Sequence, residues 1–210
     1  MNAIARMAAI AAAAVCVAGC SPEELEIAIP TSAVGKAANG SCGMAAATVV
    51  FKADQKSVTE KFPQIREKAL PFLGKNGRIT LRDKKITAKF DVPVAASSAA
   101  VSGQSLARLA LHGDILKFEP TARLGALNRA LREIDSDISV DFNAKNMIFR
   151  FDGDCAEKLK IKATAVFIDG AAKVSHVAEV GDGDSVDILF RCDSDASIYS
   201  QIQPFVEIVR

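Results

Sequence analysis

Ile86-Thr87-Ala88-Lys89-Phe90-Asp91-Val92-Pro93-Val94 carries the clearest alternation in the chain, with Ile86, Ala88, Phe90, Val92 and Val94 on one side and Thr87, Lys89, Asp91 and Pro93 on the other. A period of two marks a strand with one face buried and one face wet. Ile79 and Leu81 keep the same spacing upstream of Asp83-Lys84, which predicts a tight hairpin. Pro93 has no N–H to give to a ladder, so it predicts a sheet edge or a strand end. Downstream, Ala107, Leu109 and Leu111 alternate, the phase changes at His112-Gly113-Asp114, and Leu116 and Phe118 resume it. A phase change across glycine is what a turn or bulge produces.

Working outward, residues 45–52 read as the first strand. A helix follows, with Val58, Phe62, Ile65, Ala69 and Phe72 on one face. Ser57-Val58-Thr59-Glu60 matches a capping box, whereas Pro63 is costly inside a helix and welcome in its first turn. The helix is therefore expected to begin at one or the other, and Pro71 and Gly74 end it. Pro120 leads into a second helix striped by Leu124, Leu127, Leu131 and Ile134, with Arg123, Arg129, Arg132 and Glu133 on its wet side.

From Asp137 the pattern is a meander. Ile138, Val140 and Phe142 alternate, then Met147, Phe149 and Phe151, then Ile161, Ala163, Ala165 and Phe167. Residues 174–180 and 186–192 continue it, with turns at Asp169-Gly170 and 181–184, and 205–209 read as a short last strand. Strands in runs rather than alternating with helices predict an α+β fold. Its sheet is expected to be predominantly antiparallel, with about ten strands and two amphipathic helices.

The first nineteen residues belong to a different class of segment. Arg6 gives the start one positive charge, and residues 7–18 are an unbroken apolar run. A spanning helix needs about 20 apolar residues, so this shorter run reads as a secretory signal. Val17-Ala18-Gly19-Cys20 then resembles the lipobox of bacterial lipoproteins, a resemblance confined to residues 1–22. It implies a diacylglyceryl group on the Cys20 thiol, cleavage before that cysteine, acylation of the new amino group and a membrane anchor. In enteric bacteria an aspartate at the next position retains such proteins in the inner membrane. Ser21 therefore implies the outer membrane, facing the periplasm. The organisation expected is a signal peptide over 1–19, a lipidated flexible tether over 20–43 containing Pro22, Pro30, Gly35, Gly40 and Gly43, with a short extended stretch at Leu25–Ile29, and one domain over 44–210.

The 210 residues are 50% hydrophobic and 24% charged, a globular composition. Arg6 is the only charged residue before Cys20, so its loss from 26 Lys and Arg leaves as many bases as the 25 acids. A chain without net positive charge is a poor partner for nucleic acid. Cys42, Cys155 and Cys192 remain after the anchor, an odd number for an oxidising compartment. Cys192 shares the inward parity of Val186, Ile188 and Phe190, whereas Cys42 and Cys155 sit in polar turns, which makes Cys42–Cys155 the expected bridge.

His112 and His176 are the only histidines, and no Cys-x-x-Cys occurs, so no metal or cofactor is expected. The acidic turns Asp152-Gly153-Asp154 and Asp182-Gly183-Asp184 fail the calcium-loop template, because from Asp182 its fifth and sixth positions fall on Val186 and Asp187. No catalytic motif stands out. Lys158, Lys160 and Lys162 share the outward face of one strand and are a candidate contact for an anionic surface such as lipid head groups; the alternative is a solvated face that blocks edge pairing.

The expectation is thus a non-enzymatic accessory or binding module of the envelope, held to its membrane by lipid and docking on an envelope protein. A carrier of an apolar ligand such as a lipid is the alternative, and a hydrolase with an unrecognised site the third. The order of elements loosely resembles the tubular lipid-binding modules of some bacterial envelope lipoproteins, and a carrier would need an apolar cavity in its core.

Overall fold

In the computed structural model, which describes residues 21–100, 103–168, 173–191 and 197–209, the alternating stretch around Phe90 is the middle of the longest strand. The elements follow as β1 (Glu24–Pro30), α1 (Thr31–Ala38), β2 (Gly43–Lys52), α2 (Lys56–Ala69), β3 (Arg78–Arg82) and β4 (Lys85–Ala96). Then come β5 (Ala107–His112), β6 (Ile115–Pro120), α3 (Ala122–Arg132), β7 (Asn146–Asp152), β8 (Leu159–Phe167) and β9 (Lys173–Val180). β10 (Ser185–Arg191), α4 (Ile198–Gln201) and β11 (Ile202–Val209) complete the chain. The strands join in one sheet ordered β10-β7-β1-β2-β4-β5-β6-β11-β8-β9, with β3 added to β4. The two end strands are consecutive in the chain, and the sheet curls until it is nearly a closed barrel.

The β-rich α+β class expected from the sequence holds, but the sheet is mixed rather than antiparallel. β1 lies parallel to β7 over 24–30, and β4 parallel to β5 over 94–96. The first parallel pair exists because residues 24–38 are not a tether. Leu25, Ile27 and Ile29 are fully buried, and β1 is paired with β2 on one side and β7 on the other. The alternation Glu24-Leu25-Glu26-Ile27-Ala28-Ile29 outweighs the proline and glycines around it. Among the described residues there are also four α-helices instead of two, α1 and the one-turn α4 being the additions.

Three local expectations also change. Residues 138–142 make no strand; Asn128 instead binds that segment through both the N–H (2.8 Å) and the carbonyl (2.9 Å) of Val140. α2 begins at Lys56 and runs through Pro63, so neither Ser57 nor Pro63 starts it. Pro93 is not at the end of β4, but it does lie on a locally open edge. β3 pairs with β4 as far as Lys89 and β5 begins at Val94, which leaves 90–93 with ladder partners only in β2 among the described residues. A residue lacking an N–H is tolerated where one neighbour is missing. The hairpin at Asp83-Lys84 forms as expected, both residues having positive φ (48° and 58°), the geometry of a type I′ turn.

α1 packs tightly on the inner face. A Cβ placed on Gly43, the first residue of β2, would lie 2.5 Å from the Ala33 Cα, so only glycine fits there. α1 starts after Pro30 without a side-chain cap of its own. Asp154 supplies one from across the fold, accepting from the Ser32 N–H (2.8 Å), the Ser32 hydroxyl and Thr31 Oγ1 (3.1 Å). This satisfies a donor that a bare helix start leaves open.

Candidate functional site

The core is not filled evenly. Beneath α2 and α3 lies an apolar cavity of 210 Å³. Its floor is the inward parity of β2, β3 and β4: Val49, Phe51, Ile79, Ile86, Ala88 and Phe90. Its roof is the buried stripe of the two helices, namely Val58, Ile65 and Ala69 from α2 and Leu127 and Leu131 from α3. Phe142 closes the inner end, its ring 5.6 Å from that of Phe90 and edge-on to Phe118 at 5.2 Å. Its polar lining residues Lys52, Gln55, Ser57 and Asp137 are exposed and mark the mouth, with Asp135 and Ser139 half-buried beside them.

The roof also carries straps of charge. Lys61 of α2 meets Asp135 at 2.6 Å and Lys68 meets Glu133 at 2.7 Å, both across to the segment after α3. At the far end, Arg123 of α3 donates to the carbonyls of Pro71 and Phe72 and stacks 5.1 Å from the Phe72 ring. Such surface pairs are individually weak, so the buried stripe of Val58, Ile65, Ala69, Leu127 and Leu131 rather than charge holds the roof down. An apolar void of this size stays dry and accepts an apolar guest; engineered cavities of about 150 Å³ bind benzene.

Two further clefts are open grooves. One of 520 Å³ lies where the barrel fails to close, between Val174 and His176 of β9 and Ile188 and Phe190 of β10. The other, of 500 Å³, is on the outer face beside Cys42, Met44, Lys75 and Asp91.

The sequence-derived candidates fare unevenly. Cys20 and Cys192 lie outside the described residues, as does the Asp169-Gly170 turn. Cys42 and Cys155 are both unbridged, contrary to the expected pairing. Cys42 Sγ donates to the Gly43 carbonyl (3.3 Å), whereas Cys155 Sγ sits against Thr31 Oγ1 (3.4 Å) at the start of α1. Lys158, Lys160 and Lys162 do share an outward face, but Lys158 pairs with Glu179 (2.9 Å) and Lys162 with Glu207 (3.5 Å). β8 lies inside the sheet, between β11 and β9, so these lysines do not guard an edge.

The two acidic turns come together through backbone hydrogen bonds. The Gly153 N–H donates to the Asp184 carbonyl (2.8 Å), and the Gly183 N–H to the Gly153 carbonyl (2.9 Å). Among the described residues no three His, Cys, Asp or Glu side chains form a metal-binding group. His112 is tied to Glu119 (2.7 Å). Burial opposes the Glu119 charge, yet bonds from His112 and Arg108 outweigh it and hold the carboxyl below its ordinary range.

Sequence reasoning found the roof residues Leu127, Leu131 and Ile65 as core positions, but not the void between them or its mouth. Compared with protein-family models, with curated proteins and with solved structures, the chain matches none.

Proposed function

We propose that this chain is a lipid-anchored, non-enzymatic binding protein of the bacterial envelope that holds an apolar, chain-like ligand beneath α2 and α3. The lipobox-like Val17-Ala18-Gly19-Cys20 supports the anchor, and Ser21 after it supports the outer-membrane, periplasm-facing location. The observation that supports the ligand class is the 210 Å³ cavity, walled by aliphatic and aromatic side chains with its polar groups confined to the mouth. That division suits a molecule with one apolar arm and a polar end.

Native mass spectrometry of the unlipidated Cys20→Ala chain tests the reading. Co-purifying lipid or fatty acid is expected, and Ala69→Leu, which grows a side chain into the void, should remove it. A chain that emerges empty, and stays empty after incubation with fatty acid, sinks the proposal.

A specific observation also favours docking on an envelope protein. β9 and β10 each have a ladder partner on one side only among the described residues, and Val174, Val177 and Leu189 on them are exposed by half or more. Open strand edges recruit strands from other chains. Photocrosslinking in cells from position 177 should recover one defined partner; a smear of unrelated proteins would dismiss this second reading.

A further inference from the structure

The mouth of the cavity and the start of the described chain share one rim of the barrel. The Glu23 N–H donates to the Val50 carbonyl (2.8 Å), and the Glu23 carboxylate meets Lys52 (3.1 Å) and Lys85 (3.5 Å). Lys52 is one of the mouth residues. The Pro22 carbonyl in turn accepts from the Lys145 N–H (3.1 Å), so the first described residues are held by two neighbours. Ser21 and Pro22 alone separate Cys20 from Glu23. Extended backbone advances at most about 3.6 Å per residue, so Cys20 stays within roughly 11 Å of Glu23.

We infer that one acyl chain of the lipid on Cys20 folds back into the cavity, so that the protein's own anchor is the occupant of its apolar site. This rests on the lipid-anchored, apolar-binding reading above. Three observations lead to it. Glu23 is held beside Lys52 of the mouth, and only two residues separate it from Cys20. Both a tethered and a free chain must leave the bilayer to enter, but the tethered one is presented to the void at an effective concentration of millimolar or more. The mouth offers Lys52, Gln55 and Ser57 as donors to the ester and amide carbonyls where the chain leaves its glycerol or amino group.

The void has room for part of one chain and not for two or three. Its filling therefore changes how many chains grip the bilayer, and membrane attachment moves from permanent towards reversible as chains are withdrawn.

The test uses the full chain, made in cells fed a fatty acid with a terminal diazirine. Light expels nitrogen, and the resulting carbene inserts into the nearest C–H bond. Peptide mapping should show the N-terminal lipopeptide joined, within one chain, to peptides spanning 56–73 or 122–142, several-fold less in Ala69→Leu. Adducts to bilayer lipid alone would overturn the inference. A second measurement is independent of that variant's folding. A fluorescent undecanoic acid should bind the Cys20→Ala chain at least tenfold more tightly than the lipidated chain in vesicles. Equal binding by the two overturns self-occupancy and leaves the apolar site standing. No binding by the Cys20→Ala chain removes the site itself, and both readings with it.

Discussion

α1 and the α2–α3 pair lie over the same sheet, and they meet it in opposite ways. Under α1 the contact is so close that Gly43 has no space for a methyl, and Ala33, Val34 and Ala37 are all buried. The neighbouring strands fill what is left with Leu25, Ile27, Met147, Phe149 and Phe151, each at most 2% exposed. Under α2 and α3 the side chains are larger, and they leave a void. Small residues let a helix settle onto a sheet, whereas bulky ones from two helices and three strands stand off unless their shapes interlock. Close packing is the ordinary outcome, so the hollow half is where a function is to be sought.

Truncations should separate the halves most strongly. Phe149→Ala, in the filled half, is expected to cost about 3–5 kcal/mol, because the surroundings cannot collapse. Leu127→Ala, facing the void, should cost about 2 kcal/mol, since some of its surface already lacks partner atoms. Urea denaturation measures the difference; equal losses would mean the void fills in solution. Enlargements should reverse the order at smaller scale. Ala33→Leu overpacks and should cost about 1–3 kcal/mol, while Ala69→Leu should be close to neutral.

The start of α1 provides a third contrast. Hydrogen bonds from Ser32 hold the Asp154 carboxyl below its ordinary range. Its contribution is therefore complete above the usual carboxylate range and fades as pH falls through the lowered folded value. Asp154→Ala should cost about 1 kcal/mol at neutral pH, as loss of a cap does, and the deficit should shrink in acid. The straps over α2 have no such reach into the core, so Lys68→Ala should shift stability by less than about 0.5 kcal/mol. Thermal melts of both variants at neutral and acid pH would check this pair.

Much of the barrel can be read along the chain because its signals are local. The alternation at 86–94, the Asp83-Lys84 turn and the leucine stripe of α3 each fit within a dozen residues. What escaped reading depends on distant partners. α1 contains Gly35 and begins without its own cap; it stands because Asp154, 122 residues away from Ser32, reaches its first turn. β1 had the right alternation, but its parallel partner β7 lies beyond α3, so nothing nearby marked it as the middle of a sheet. The cavity was the least legible feature. Ile65 and Leu127 have the same apolar periodicity whether the space between them is full or empty. Its mouth residues look like ordinary loop polarity until the chain start is seen beside Lys52.

The break opposite Pro93 divides this wall of the barrel. β3 and the helix before it hang on β4 only as far as Lys89, while β5 takes hold from Val94, and in between the Asp91 carbonyl is met by the Ser105 hydroxyl instead of a strand. The wall is thus built of two staves that share β2 as their common spine: one carries β3 along 85–89, the other carries β5 from Val94 onward.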